Sequence, residues 1–410
     1  MIQAAERTSY RAVFASGEFR ALWIAQILSV AGDRLALVAT SLLVYGHTHS
    51  ALLTAITYAS IYLPWLLGGP FLSGLADRFP RRAVMVACDV GRALLVAAMV
   101  LPGCPVLVVV ILLFLVTTLS SPFQASRTAI VADVLSGESY VLGVAVTRLT
   151  NQLGYVAGFA VGGTVVAFSG TRTALLIDCG TFLASALLVR FGVRARPASI
   201  EKAARPSTWG MVAAGAKLVF GRRDLRTLMM LGWLAAFYAV PEGLAAPYAS
   251  GFGGGAVDTG LVLAALPLGS AAGVYFFGKF VRPVRRLALM GGLAIGSCAP
   301  LLLCALRPGL VLSVVILFVA GAASAFQLSA SSEFVLAVPN TSRGQAYGFA
   351  NAGLAIGQGL TISLAGALAG ALPAYGVIAV SGGLGTVVAI MLALSWQRRP
   401  ANRTSAVLVD

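Results

Sequence analysis

Apolar residues dominate this chain in long unbroken runs, and polar residues are confined to the short gaps between them. The runs cover 21–45, 52–75, 83–102, 105–126, 141–168 and 173–193 in the first half. In the second half they cover 227–250, 257–278, 287–306, 309–332, 345–371 and 374–396. A helix needs roughly 20 apolar residues to cross a bilayer, whereas a barrel strand needs about 9–11 with alternating polarity. These runs are continuous and far longer than a barrel strand. Inside lipid only helices and closed barrels satisfy every backbone N–H and C=O. The pattern therefore predicts an all-α polytopic membrane protein with 12 transmembrane helices in two pseudo-symmetric six-helix halves.

The longest gap sets the domain organisation. It places an N-terminal bundle at 1–193, a cytoplasmic linker at 194–226, and a C-terminal bundle with a short tail at 227–410. Within the linker, 208–221 is expected to form an amphipathic helix on the inner membrane surface. The stretch before it contains Arg196-Pro197 and Arg205-Pro206 and reads equally well as a plain tether.

Composition agrees with a lipid environment. Of 410 residues, 59% are hydrophobic and 10% charged, where soluble domains carry about 25% charged residues. An ordinary soluble enzyme and a disordered chain are both excluded. The net charge of +15 would suggest nucleic acid on a soluble protein. Here 23 of the 29 basic residues fall in the tails and gaps on one side of the expected membrane, against only Arg172 and Arg307 on the other. Basic residues mark the cytoplasmic side. Both termini are thus expected in the cytoplasm of a multi-pass cell-membrane protein, with the lipid bilayer rather than nucleic acid as partner. Arg7, Arg11 and Arg20 precede the first run, which reads as a retained span rather than a cleaved signal. The preference for arginine over lysine suggests a GC-rich bacterial genome.

The five cysteines form no CxxC pair, and His47 and His49 are remote from them. No metal site is expected. There is no P-loop and no nucleophile with an evident base, so neither an enzyme nor an ATPase is expected. No cofactor is called for beyond a proton gradient as energy source.

The halves repeat. Ser121-Pro-Phe-Gln-Ala-Ser126 returns as Ser324-Ala-Phe-Gln-Leu-Ser329, and the Gly, Arg, Arg, Arg spacing of 74–82 returns at 278–286. Both offsets are close to half the chain. Internal repeats of this kind mark secondary transporters, which bind their cargo near mid-membrane between the halves. One chain supplies both halves, so a monomer is expected.

The loop after the second run reads Gly74-Leu-Ala-Asp-Arg-Phe-Pro-Arg-Arg82. It resembles the major facilitator superfamily signature Gly-x-Leu-Ala-Asp-Arg-x-Gly-Arg-Arg, departing at Ser73 and Pro80, where the signature has glycines. Ser29-Val-Ala-Gly-Asp33, Asp89-Val-Gly-Arg92, Pro122–Asp133, 158–163 and 176–178 extend the resemblance towards the branch that holds macrolide efflux proteins and the enterobactin exporter. The resemblance implies efflux of a drug, antibiotic or siderophore-like metabolite by alternating access. It implies a gating role for Asp77 at the inward mouth. Gly74, Arg78, Arg81 and Arg82 belong to the same motif, and the three arginines read equally as topology anchors. The family's antiporters carry a proline in a Gly-Pro-x-x-Gly-Gly-like motif on the fifth span. This chain has Phe159 there, which weakens the case for antiport.

Chemistry is carried by the few polar residues inside the runs. A charge there is costly and is expected to face a cavity or a partner. Asp33 and Glu242 are candidate proton-coupling groups, because a carboxylate whose partner leaves during a conformational change can exchange a proton. A permanent ion pair is the alternative for Asp33. Arg34, Arg148, Asn151 and Gln152 are candidate cavity residues, with interhelical hydrogen bonding as the alternative for the last three. Phe237 and Tyr238, just before the potential helix break at Pro241, are cavity candidates that could stack on an aromatic or cationic ligand, with plain aromatic packing as the alternative. Gln124, Gln327, Asn351 and Gln358 are further cavity candidates. Asp89 and Arg92 share a helix face and are expected to brace the inner gate. Asp178 reads as a structural residue near a helix end. Gly154, Gly158, Gly162 and Gly163 provide close helix packing. These features predict a secondary transporter that exports a small molecule in exchange for protons. Uptake, uniport and a transport-inactive sensor remain as alternatives.

Overall fold

A computed structural model describes residues 10–62, 79–196, 208–339 and 342–397. Among them every regular element is helical. The first half contains α1 (Tyr10–Ala15), α2 (Gly17–Thr48), α3 (Ala51–Ala59), α4 (Arg81–Met99), α5 (Val106–Val134) and α6 (Gly137–Gly192). Then follow α7 (Thr208–Gly221), α8 (Arg223–Trp233), α9 (Ala235–Tyr238), α10 (Val240–Gly243), α11 (Ala245–Ser250) and α12 (Ala256–Phe280). The chain continues through α13 (Pro283–Cys298), a 3-10 helix (Ala299–Leu306), α14 (Leu310–Ala323), α15 (Phe326–Ala337), α16 (Arg343–Leu368) and α17 (Ala374–Gln397).

Local chemistry explains where helices begin. The Ser16 hydroxyl accepts from Phe19 N at 3.3 Å, and Ser50 does the same for Leu53 N at 3.2 Å. Each supplies an acceptor to an otherwise orphan first-turn donor. Proline precedes α4 and α5 and opens α13, positions where its missing N–H is harmless.

The α6 helix is a hairpin of two helices. Gly170 has φ 80° and ψ 167°, a region essentially reserved for glycine. Gly143 lies against Phe19, and Gly192 against Ala21. Both ends of α6 therefore sit beside the start of α2, and the chain reverses at Gly170.

Among the described residues, seven helices are long and apolar enough to cross a membrane. The twelve expected runs do not appear as twelve unbroken helices. Run 52–75 is described only as far as 62. Run 227–250 is divided among α8 to α11, with breaks at Leu234, Ala239 and Leu244. Run 309–332 breaks at Ser324-Ala325, and run 287–306 ends in a 3-10 helix.

The core is divided unequally along the bundle. One apolar cluster joins the halves, with Leu37, Tyr58 and Phe182 packed together with Leu244, Leu263 and Leu317. At the other end each half has its own cluster. Phe19, Met85, Phe123 and Val189 form that of the first half, and Leu225, Leu231, Phe326 and Ala389 that of the second. Meanwhile Phe168, Val311 and Leu364 are 86%, 78% and 69% exposed. Side chains this apolar on the outer surface fit hydrocarbon as their solvent.

Candidate functional site

Between the halves lies a cavity of about 740 Å³. Its walls come from α2, α3, α4, α5 and α6 of the first half and from the broken run 223–250, α12, α15 and α16 of the second. Contacts between the halves gather at the end away from residues 17 and 192. There the Tyr45 hydroxyl meets Ser250 Oγ at 3.0 Å. Gly163 faces Gly260 so closely that a Cβ at 163 would lie 2.5 Å from Ala256 O and 2.8 Å from Gly260 Cα. On the opposite flank Gly366 packs against Ala51, Leu52 and Ala55. Small residues let helix backbones approach this closely.

Glu242 forms one acidic corner of the cavity. The Tyr58 hydroxyl donates to Glu242 Oε2 at 2.8 Å, and the Tyr62 hydroxyl donates to the same oxygen at 3.4 Å. The tyrosines come from the first half and the carboxyl from the second. The helix breaks at Ala239 and Leu244 flank Glu242 and turn this short segment against α3.

Asp33 and Arg34 point in different directions from α2, as residues about 100° apart on a helix should. Asp33 Oδ2 lies 4.0 Å from the Arg92 guanidinium. Arg92 is 1% exposed and pairs with Asp89, whose other oxygen accepts from Ser185 Oγ at 2.6 Å. The guanidinium also donates to Ser29 Oγ at 3.1 Å and stacks between Phe123 and Phe182. Asp89 and Arg92 thus form a buried pair inside the first half.

Arg34 has no such partner. Its Cζ lies 4.0 Å from the Tyr155 ring centroid and 5.6 Å from that of Phe159. Its Nε makes no hydrogen bond, and among the described residues no carboxylate reaches ion-pair distance. Gly158 makes this placement possible, since a Cβ there would lie 2.7 Å from Arg34 Cβ.

The cavity brings together Asp33, Arg34, Gln124, Asn151, Gln152, Tyr238, Glu242, Gln327, Asn351 and Gln358. Gln152 Nε2 donates to Pro267 O across the halves at 3.1 Å, and Asn151 accepts from Gln26 Nε2 at 2.8 Å. Gln327 Nε2 meets the Tyr238 hydroxyl at 2.5 Å, and Gln124 accepts from Arg127 at 3.0 Å. Two expected cavity residues do not line it. Arg148 is exposed at a position outside the cavity. Phe237 packs between the shared cluster and that of the second half, its carbonyl accepting from Ser381 Oγ at 2.8 Å.

Of the gating motif, Gly74, Asp77 and Arg78 lie outside the described residues. Arg81 pairs with Asp133 at 2.6 Å, and Arg82 donates to Val193 O at 3.2 Å. Both therefore join segments of the first half to each other. Gly154 and Gly162 face Val30, Leu35 and Val38 of α2, as Gly158 faces Arg34. Gly163 alone of the four turns to the other half.

Several residues of the site were missed in the sequence. Tyr58 and Tyr62 are four apart inside an apolar run, a spacing that would put both hydroxyls on one face of a helix and was a usable signal, although α3 ends at Ala59 and Tyr62 lies in the turn that follows it. Gln26, which is fully buried, was another. Asp178 was placed near a helix end, but it is 0% exposed and sits against Gly32. Its position depends on the reversal at Gly170, which spacing alone does not reveal.

Comparison with known proteins agrees with this geometry. The Major Facilitator Superfamily family model matches residues 22–338 and 243–408. The enterobactin exporter EntS of Escherichia coli O1:K1 / APEC is 27% identical over 317 residues, covering 75% of this chain and 74% of the relative. EntS of Shigella boydii serotype 4 (strain Sb227) gives the same identity and coverage. Among solved structures, the nucleoside transporter NupG superposes with TM-score 0.72 at 16% identity, covering 93% of this chain and all of that one. An inward-facing, occupied bacterial homolog of the human lysosomal transporter Spinster gives TM-score 0.71 at 13% identity, covering 96% and 97%. An inward-facing bacterial homologue of the iron transporter ferroportin gives 0.70 at 12% identity, covering 96% and 100%.

Proposed function

The chain belongs to the Major Facilitator Superfamily, and we propose that within it the protein exports a small organic molecule from the cytoplasm in exchange for protons. Fold and relatives are those of transporters, not enzymes. The proposed setting is a bacterial cytoplasmic membrane with both termini inside, 1–193 and 227–410 as the two moving bundles, and 194–226 as the linker. With this orientation the shared core and the tyrosine contacts lie at the outer end. The captured state is then closed outside, with the cavity facing inward.

The observation that carries the reading is the bond from Tyr58 to Glu242 across the halves. Hydrogen bonds to an ionised carboxylate are roughly twice as strong as neutral ones. An ionised Glu242 therefore locks the outer end and stops an empty, deprotonated carrier from turning outward. Cargo entering from the cytoplasm competes for the tyrosine hydroxyls and releases the lock. After the bundles rock, cargo leaves outside and a proton binds Glu242 or Asp33. The protonated carrier returns, and the proton is lost inside. Export of a siderophore-like cargo is supported by the efflux relative EntS.

The test uses purified protein in liposomes loaded with a pH-sensitive dye. Candidate antibiotics and siderophores are added across an imposed proton gradient, beside Asp33→Asn and Glu242→Gln. Ligand-dependent proton movement that one of these variants lacks is the expected result. Flux without protons would leave a uniporter, and binding without flux a sensor.

A further inference from the structure

We propose that the cavity is built for organic anions, and that Arg34 is the group that holds the anionic end of the cargo. The proposal deepens the transport reading and rests on it for its biological meaning, while its chemistry rests on side-chain geometry.

A charge in mid-membrane normally finds a partner, and the other charged groups around this cavity have one. Arg92 is shared by Asp89 and Asp33. Arg127 bonds to Gln124 and Thr147. Glu242 is held by Tyr58 and Tyr62. Arg34 alone among them lines the cavity with neither an ion pair nor a hydrogen bond among the described residues. Tyr155 and Phe159 contact the guanidinium through their rings. Ring contacts satisfy the cation electrostatically but use none of its N–H donors. Those donors form a planar fork matched to a carboxylate, sulfonate or phosphate.

Neither nearby carboxylate is a natural occupant of that fork. Asp33 is turned towards Arg92, and Glu242 is engaged by two hydroxyls. The placement of Arg34 is also specific, because the missing side chain at Gly158 lets its shaft lie directly on α6. Beside the polar residues named above, the cavity wall carries apolar and aromatic side chains, among them Val30, Leu37, Met99, Tyr155, Trp233 and Leu354. A cavity of about 740 Å³ is of drug-like size. The cargo that fits is a small acid with one anionic group on a flat apolar body. An inside-negative membrane potential drives such an anion outward, in the direction proposed for transport.

The test is calorimetric titration of the full-length protein in lipid nanodiscs at neutral pH. The probes share one ring system: 1-naphthoate, the neutral 1-naphthamide and the cationic 1-naphthylmethylammonium, with anthracene-2-carboxylate as a larger acid. The expected result is binding of at least one acid, with naphthoate at least about ten-fold tighter than its amide. In Arg34→Gln that difference collapses. In Arg34→Lys part of it survives, since charge remains without the fork. Equal affinity for acid and amide, tighter binding of the cation, or no binding of either acid overturns the proposal. So does an acid preference that persists in Arg34→Gln. The wild-type comparison needs no variant, so misfolding of Arg34→Gln does not decide it. Equal affinities alongside ligand-dependent proton flux sink the anion assignment and leave transport standing. Acid-selective binding without any flux supports the anion site and sinks the transport reading instead.

Discussion

The hydroxyl of Tyr58 donates to the carboxylate of Glu242 at 2.8 Å, and the two residues stand on opposite halves of the transporter. This bond joins helix α3 to the broken run 223–250 at the closed end of the cavity. Tyr58→Phe removes the donor and leaves the ring. A bond to a charged acceptor contributes about 1.5–3 kcal/mol, so the balance should shift by roughly ten-fold or more towards a state open at this end. Spin labels at positions 45 and 250, close in this state, should report a longer distance in the variant. An unchanged distance distribution would show that Tyr58 does not hold the closure.

The crossing of Gly163 and Gly260 has no room for a side chain. Gly163→Leu should wedge the halves apart at this end and trap a state open there. Transport should fall by an order of magnitude or more while the protein still inserts. Labelling of a cysteine at 239, a buried cavity position, by a membrane-impermeant reagent added on that side should rise. Gly154→Leu, which presses on Val30 within one half, should disturb folding without raising that labelling.

Much of the bundle was legible because bilayer physics writes itself into run length. The apolar runs and the basic gaps require only one-dimensional counting. Asp33, Glu242 and Gln152 stood out for the same reason, as polar letters in an apolar text. Exposure defeated the prediction at Arg148, because four-residue spacing identifies a helix face but not what that face meets. Phe237 failed similarly: its neighbour Tyr238 reaches the cavity while Phe237 packs behind it. The break at Ala239 follows from Pro241, which lacks the N–H that would bond to Phe237 O, so that this carbonyl accepts from Ser381 Oγ instead, and Pro247 likewise cannot bond back to Gly243 O beside the break at Leu244.

Asp89 and Asp178 should respond unequally to loss of charge. Asp89 is engaged by Arg92 and Ser185. Asp89→Ala leaves Arg92 buried without its main partner and should cost about 3–5 kcal/mol. Asp178 has an oxygen with no hydrogen-bond partner and no ion pair among the described residues. Asp178→Asn keeps the shape and an acceptor oxygen for the Thr181 hydroxyl and removes a buried carboxyl that has no counter-ion among the described residues, so it should stay within about 1 kcal/mol of wild type. Thermal unfolding in detergent separates the two. A large loss in Asp178→Asn would mean that its carboxyl is held by something other than the Thr181 hydroxyl.

Gly170 turns the long α6 back on itself with a positive φ of 80°. Gly170→Ala should cost on the order of 1–3 kcal/mol through backbone strain, although nothing lies within 4 Å of the added methyl. Lower expression and an earlier melting transition are the expected signs. Gly46, equally open but without that backbone geometry, should accept alanine without loss.

The unequal division of the apolar core bears on how such a chain can change over generations. A substitution at Met85 is answered by neighbours in its own half, and one at Ala389 by neighbours in the other. A substitution at Leu244 or Leu37 must be answered by both halves at once, because they share a single cluster. The ends with separate clusters are therefore free to drift separately, whereas the ends that share a cluster must drift as a pair. Hybrids that join the first half of this protein to the second half of a distant relative should fail at the shared cluster, and matching that cluster alone should rescue them.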